Sequence, residues 1–218
     1  MKRFLILALF TFSRALAAEP TRPEPVERTA TIDEAIAKGD ATEVKRHLAA
    51  NPELIRTPGA GKMLPLHQAA LRRKADIVAL LLEADAPVDA VEAANRTALH
   101  MAVERGDLPI VKLLLAKKAA TTIRDRNGWT PLHHAAAKDR LEIARTLLDA
   151  GADPNFVSEL GGTPLHEAAA GASAEMVELL LARGTDPKIR SKPGVTTLDL
   201  AREYKNTAAI EILETRRP

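Results

Sequence analysis

Two adjacent histidines, His133 and His134, stand in the stretch TPLHHAA over Thr130–Ala136, in a chain with only six histidines. Neutral imidazoles ligate metals, and a histidine beside a carboxylate serves as a general base. Neighbours at i and i+1 on a helix point to different sides, so His133 and His134 do not chelate one ion together. Any chemistry must therefore recruit groups from elsewhere. The carboxylates nearest in type, Asp125, Asp153 and Asp186, fall at turn positions where such side chains bond local backbone amides. Gly161-Gly162 reads as a turn. There is no cysteine, which excludes disulfides, thiolate metal sites and cysteine nucleophiles. No nucleophile elbow, Walker loop, H-E-x-x-H or dinucleotide glycine pattern occurs. No catalytic residue, metal ligand or cofactor is assigned, and the chain reads as non-enzymatic.

The elements that carry the histidines repeat. LPLHQAA begins at Leu64, TALHMAV at Thr97, TPLHHAA at Thr130, TPLHEAA at Thr163 and TTLDLAR at Thr196, a constant step with no insertion. A second apolar pattern keeps step: DIVALLL at Asp76, PIVKLLL at Pro109, EIARTLL at Glu142 and EMVELLL at Glu175. Each unit thus predicts two short helices. Thr130 suits the N-cap of the first, with Pro131 at a position where its missing N–H costs nothing. Leu132, Ala135 and Ala136 make a narrow apolar stripe, while Ile143, Ala144, Leu147 and Leu148 make a wider one. Gly151 suits the left-handed residue that ends the second helix. Aromatics are only 3% of the chain, so the core is built from aliphatics, with small alanines letting helices approach closely.

The pattern D-x-x-G-x-T-P-L-H-x-A-A followed by G-A-D, with its constant step, resembles the ankyrin repeat in signature and in period. The resemblance implies an all-α solenoid of about six helix-turn-helix units with short β-hairpin-like loops, over residues 29–218. Units start near 26, 59, 92, 125, 158 and 191. The first and last are degenerate, as caps facing water must be. The glycine usual between the two helices survives as Gly106 but gives way to Arg73, Asp139 and Ala172, and Leu64 replaces the capping threonine. These departures predict lower local stability.

His67, His100, His133 and His166 share one slot. Stacked helices lie about 8–10 Å apart, whereas zinc ligands lie about 2 Å from the metal, so these rings do not share an ion. The family resemblance implies that they form structural hydrogen bonds near the helix start and to the adjoining unit. His134 occupies the variable position beside this slot, either as a partner contact or as an uninvolved surface residue. His47 is expected on a solvated cap face.

Lys2 and Arg3 precede an apolar run from Phe4 to Phe12, and Ala15-Leu16-Ala17 supplies a small-x-small site. Residues 1–17 read as a secretory signal peptide cut near Ala17, which places the mature chain in the periplasm or outside the cell; the alternative is an uncleaved N-terminal anchor. Residues 18–28, with three prolines, read as an extended linker. Without Lys2, Arg3 and Arg14, 28 basic residues face 29 acidic ones, a net charge of −1. With no basic surplus and few rings to stack on bases, nucleic-acid binding is disfavoured. No membrane contact beyond the leader is predicted.

The family resemblance implies protein binding through a concave strip of loop tips and first helices. Transferred by register, the contact positions at the tips are Met63, Arg96, Arg124, Arg126, Trp129, Glu159 and Leu160. On the first helices they are Arg72, Arg105, His134, Lys138 and Tyr204. Trp129 among Arg124, Arg126 and Lys138 suggests a patch for an acidic or mixed surface, the other reading being a tryptophan that packs on its own hairpin. The expected function is a monomeric, non-enzymatic protein-interaction module. Alternatives are a regulator, protector or immunity-type inhibitor of an exported enzyme and, less favoured, a hydrolase with a metal at His134.

Overall fold

The computed structural model describes residues 31–215, without the side chain of Ala60. The expected leader (1–17) and linker (18–28) lie outside the described residues. Twelve α-helices and no strands are found among those described. They run as α1 Ile32–Lys38, α2 Ala41–Ala50, α3 Pro65–Leu71, α4 Ala75–Glu83, α5 Ala98–Glu104 and α6 Leu108–Ala116, followed by α7 Pro131–Ala137, α8 Leu141–Asp149, α9 Pro164–Gly171, α10 Ala174–Ala182, α11 Thr197–Glu203 and α12 Thr207–Thr215. Odd-numbered helices pack in one row and even-numbered helices in a second, each helix touching its hairpin mate and its counterparts in the neighbouring units. The core is the seam between the rows. Ala69, Ala102, Ala135 and Ala168 are fully buried in the first row, opposite Ile77, Ile110, Leu147 and Leu180 of the second. Each fully buried Leu or Ile contributes about 1.5–3 kcal/mol, and the alanines bring the rows close enough for that burial.

The tips that precede the odd helices are single-turn loops in strict register. Backbone N–H groups of Gly59, Glu92, Asp125, Ser158 and Ser191 donate to the carbonyls of Met63, Arg96, Trp129, Gly162 and Val195, all within 2.8–3.0 Å. The fourth residue of each tip takes positive φ: Lys62 58°, Asn95 60°, Gly128 75°, Gly161 78° and Gly194 82°. Neighbouring tips are joined by Arg126 N–H to Ala94 C=O at 3.0 Å and Lys192 N–H to Leu160 C=O at 2.8 Å. A Cβ on Gly161 would lie 2.8 Å from the Lys192 amide nitrogen, so the close approach of tips requires glycine there.

The missing glycines between paired helices have a structural answer. Arg73 and Asp139 hold φ of 59° and 51°, a left-handed conformation that costs a non-glycine residue about 1 kcal/mol. Each side chain reaches the N-cap of the following unit's second helix. Arg73 Nε donates to Asp107 Oδ2 at 3.0 Å, and Asp139 Oδ1 accepts from Ser173 Oγ at 2.8 Å. The backbone strain is thus offset by a bond between units. Ala172 solves the problem differently: α9 runs one residue longer and the chain leaves it extended, at φ −80°.

The odd helices begin with reciprocal caps. Thr31 with Glu34 and Thr196 with Asp199 form capping boxes at the two ends of the stack. In three internal units the carboxylate is replaced by histidine. Leu64 offers no hydroxyl, so α3 has no side-chain cap and the buried Nδ1 of His67 has no hydrogen-bond partner among the described residues. Leu64→Thr should therefore raise stability by about 1 kcal/mol, through a restored cap and a satisfied imidazole nitrogen. The midpoint of urea unfolding checks it, and an unchanged or lower midpoint contradicts the account.

Candidate functional site

His100, His133 and His166 are structural. Nδ1 of each lies 2.9 Å from the hydroxyl of the capping threonine (Thr97, Thr130, Thr163) and accepts that residue's backbone N–H at 3.1–3.2 Å. An Nδ1 that accepts must be unprotonated, so Nε2 carries the hydrogen. It donates across to the next unit, to the carbonyls of Trp129, Gly162 and Val195 at 3.2–3.3 Å. Burial pushes the imidazoles of His100 and His133 down to about 4, and lowers that of His166. His67 departs from the ladder: with no hydroxyl at residue 64, its Nε2 meets Ala90 C=O at 2.8 Å, on the approach to the tip.

The second histidine is tied inside the chain. His134 Nε2 lies 3.0 Å from Asp125 Oδ2, its ring 5.0 Å edge-on from Trp129 and 5.8 Å edge-on from His100. Asp125 also accepts the backbone N–H groups of Asn127 and Trp129 on Oδ1, at 2.8 and 2.9 Å. Burial works to raise the Asp125 carboxyl, but these amides and His134 outweigh it and hold it below the usual range. Trp129 stacks on His133, with planes 22° apart. The tip carboxylate, read in the sequence as a local amide acceptor, thus also fixes a ring on α7. Among the described residues no group of three or more His, Asp or Glu side chains is arranged to hold a metal ion. His47, expected on a solvated face, is largely shielded, with Nε2 3.2 Å from Glu43.

The other predicted contact residues differ in setting. Met63 is half-buried against the core, and Arg96 is held by Glu92 and Glu104 at 3.0 and 3.2 Å. Arg124, Arg126 and Glu159 are exposed on the tips, with the Arg124 guanidinium 4.5 Å above the Phe156 ring. Arg72, Arg105, Lys138 and Tyr204 occupy one register position at the ends of α3, α5, α7 and α11, and all are exposed. In α9 that position is Gly171.

Three of the predicted residues come together. Trp129, Leu160 and Tyr204, from three successive units, line one groove of about 360 Å³. Leu160 and Tyr204 are 72% and 60% exposed, which marks an apolar surface with no cover among the described residues. Pro193 and Leu200 extend the wall, and Glu167 of α9 lies in the lining. Glu167 makes no hydrogen bond or ion pair with the described residues, and burial alone pushes its carboxyl up to about 7. The sequence reading passed over Glu167. Its signal was present, since it holds the variable slot of His134, but its isolation depends on which side chains the next unit supplies.

Comparison with protein families gives matches to models described as "Ankyrin repeats (3 copies)" over residues 32–125 and 66–158, and as "Ankyrin repeat" over 160–192. Comparison with curated proteins gives no match. The helix pairs, their constant register and the histidine ladder agree with these family matches over most of the chain. The chain belongs to the ankyrin-repeat family, whose members are in general non-enzymatic modules for protein–protein interaction.

Proposed function

We propose that this protein binds a specific protein partner in an exported compartment, along the strip of tips and first helices centred on Trp129. The observation that carries the reading is the location of uncovered apolar surface. Among the described residues, the large hydrophobics more than 40% exposed, Val91, Val157, Leu160 and Tyr204, all lie at or beside tips or at the end of a first helix. Such a distribution marks an interaction face rather than scattered surface residues. Exposed Arg124 and Arg126 stand close to Trp129 in sequence and exposed Lys138 ends the helix that follows it, and Trp and Arg are the types most enriched in binding hot spots. Export rests on the basic-then-apolar start of the chain and its small-x-small site.

The test begins with photocrosslinking from Val157 in intact cells to identify the partner. Affinity is then compared for the native chain and a Trp129→Ala/Arg126→Ala/Lys138→Ala variant whose helical content is verified. A loss of about 3 kcal/mol or more is expected, and unchanged affinity would falsify this placement. Guarding an exported enzyme is the narrower version of the reading; it requires that the partner's activity or lifetime change on mixing. Fractionation and N-terminal sequencing of the mature chain decide export and cleavage near Ala17.

A further inference from the structure

The groove formed by the tips carrying Trp129, Leu160 and Pro193 with α9 and α11 combines two features that do not ordinarily share a surface. Its walls carry the rings of Trp129 and Tyr204 with Leu160 and Pro193, and its lining carries one carboxylate, Glu167, with no counter-ion among the described residues. The other titratable ring beside it, His166, is committed through Nδ1 to Thr163 and through Nε2 to Val195 C=O. It is neutral and supplies no positive charge. Ser158 and Ser191 add only uncharged hydroxyls to the lining. A partly buried carboxyl group in a groove walled by aromatic and aliphatic side chains is complementary to a long cationic side chain, whose methylene stem covers the apolar wall while its head meets the carboxyl group.

We infer that the groove seats a lysine or arginine side chain of an extended segment of the protein partner, with Glu167 as its ion-pair acceptor and Trp129 and Tyr204 as its flanking rings. This rests on the protein-binding reading above and specifies its chemistry. Burial already holds the carboxyl near 7, so a cation entering the groove relieves a standing penalty instead of breaking an existing pair. The neighbouring surface sets the flank of the segment. Lys138 and Arg105, at the ends of the first helices one and two units towards the N-terminus from α9, are exposed and basic. Units are stacked about 10 Å apart and an extended chain advances about 3.3 Å per residue. An acidic residue about three positions from the seated cation therefore meets Lys138. The predicted partner motif is a basic anchor with acidic residues on one side.

The probe is a library of random peptides displayed on phage and selected against the full-length chain, with individual peptides then measured by fluorescence anisotropy. Selected peptides should share a Lys or Arg with acidic residues on one side. Glu167→Gln should weaken them by about tenfold or more, and Glu167→Lys should abolish them and select acidic sequences instead. Glu167→Gln removes a poorly solvated carboxylate, so it should fold at least as well as the native chain, and its loss of binding is not a loss of structure. Failure of the library to yield binders, selection of peptides without a basic residue, or equal binding by Glu167→Gln overturns the inference. So does a Glu167-dependent dimer in sedimentation, which would make a second copy the occupant. A partner that crosslinks to Val157 but is indifferent to Glu167→Gln removes this inference and leaves the interaction reading standing; absence of any partner removes both.

Discussion

Acidification from pH 7 to pH 4 should cost this fold about 6 kcal/mol, comparable with the total stability of an ordinary domain. The cause is the histidine ladder. His100 and His133 titrate at about 4 in the folded chain because burial disfavours their charged form. The unfolded chain takes up protons near 6.5. Between those values the unfolded state holds more protons than the folded one, so stability falls as pH falls. The loss starts near 6.5 and is complete near 4, at about 3 kcal/mol for each ring. His67 and His166 are shifted the same way and add to it. Geometry reinforces the sign, because protonating Nδ1 would set its new hydrogen against the Thr97 or Thr130 backbone N–H that it now accepts. Two carboxylates work later: Asp125 and Glu92 sit below their ordinary range, so their contribution is lost only as pH drops through and below about 4. Glu167 opposes the trend. Its raised pKa means the folded chain is the one that holds the extra proton between the ordinary carboxylate range and about 7, so its contribution grows on acidification. One partly solvated group offsets about 1 kcal/mol. Urea midpoints followed by far-UV circular dichroism from pH 7.5 to 4 measure the balance. A flat profile between 6.5 and 4 would mean that the ladder is not neutral in the fold.

The helix pairs, the tips and the role of the ladder histidines were legible because each is written locally and repeated in every unit. Thr130 at a cap, Pro131 behind it and Ala135-Ala136 on one stripe form their element whatever the neighbours are. What the sequence hid lies between units. The left-handed conformation of Asn95, Lys118 and Asp85 has no glycine to announce it, and register with Gly128, Gly151 and Gly184 is the only local clue. Arg73 and Asp139, expected to weaken their turns, each bond a cap in the following unit, a pairing that no local pattern encodes. The site was half legible for the same reason. Register placed Trp129, Leu160 and Tyr204 on the tips and first helices as expected contact positions. Their convergence on Glu167 needs three units stacked in space. His134 shares a register slot with Glu167 yet behaves oppositely, because unit 125 carries an aspartate at its tip where unit 158 carries Ser158. One substitution at a tip therefore decides whether the variable slot is sealed or left open to a partner.

His133→Ala should cost about 4 kcal/mol and split the unfolding transition in two, whereas His67→Ala should cost about 1 kcal/mol and leave it single. The two residues occupy the same slot but carry different loads. His133 accepts from the Thr130 backbone amide, pairs with its hydroxyl, donates to Gly162 C=O and supports the Trp129 ring. Removing it leaves the buried Thr130 amide without its acceptor, takes the imidazole from the Thr130 hydroxyl and from the Gly162 carbonyl (which keeps the Ser158 N–H), and opens a cavity under the indole; the unsatisfied amide costs about 1–3 kcal/mol and the cavity a similar amount. His67 has one hydrogen bond to lose, because its Nδ1 is already orphaned beside Leu64. The shape of the transition follows from architecture. A repeat stack is stabilised by its units and by the interfaces between neighbours, with no core spanning the whole. His133 crosses the interface between units 125 and 158, with two units on its C-terminal side. Weakening that joint releases those two from the cooperative block. Trp129, the only tryptophan, reports on the joint itself, while circular dichroism reports on all units. In His133→Ala the two signals should give different urea midpoints; in the native chain and in His67→Ala they should coincide. Equal costs for the two substitutions would show that the bond from ring to next carbonyl does not carry the coupling. Coincident curves for His133→Ala would show that the interface is held by the alanine and leucine seam alone.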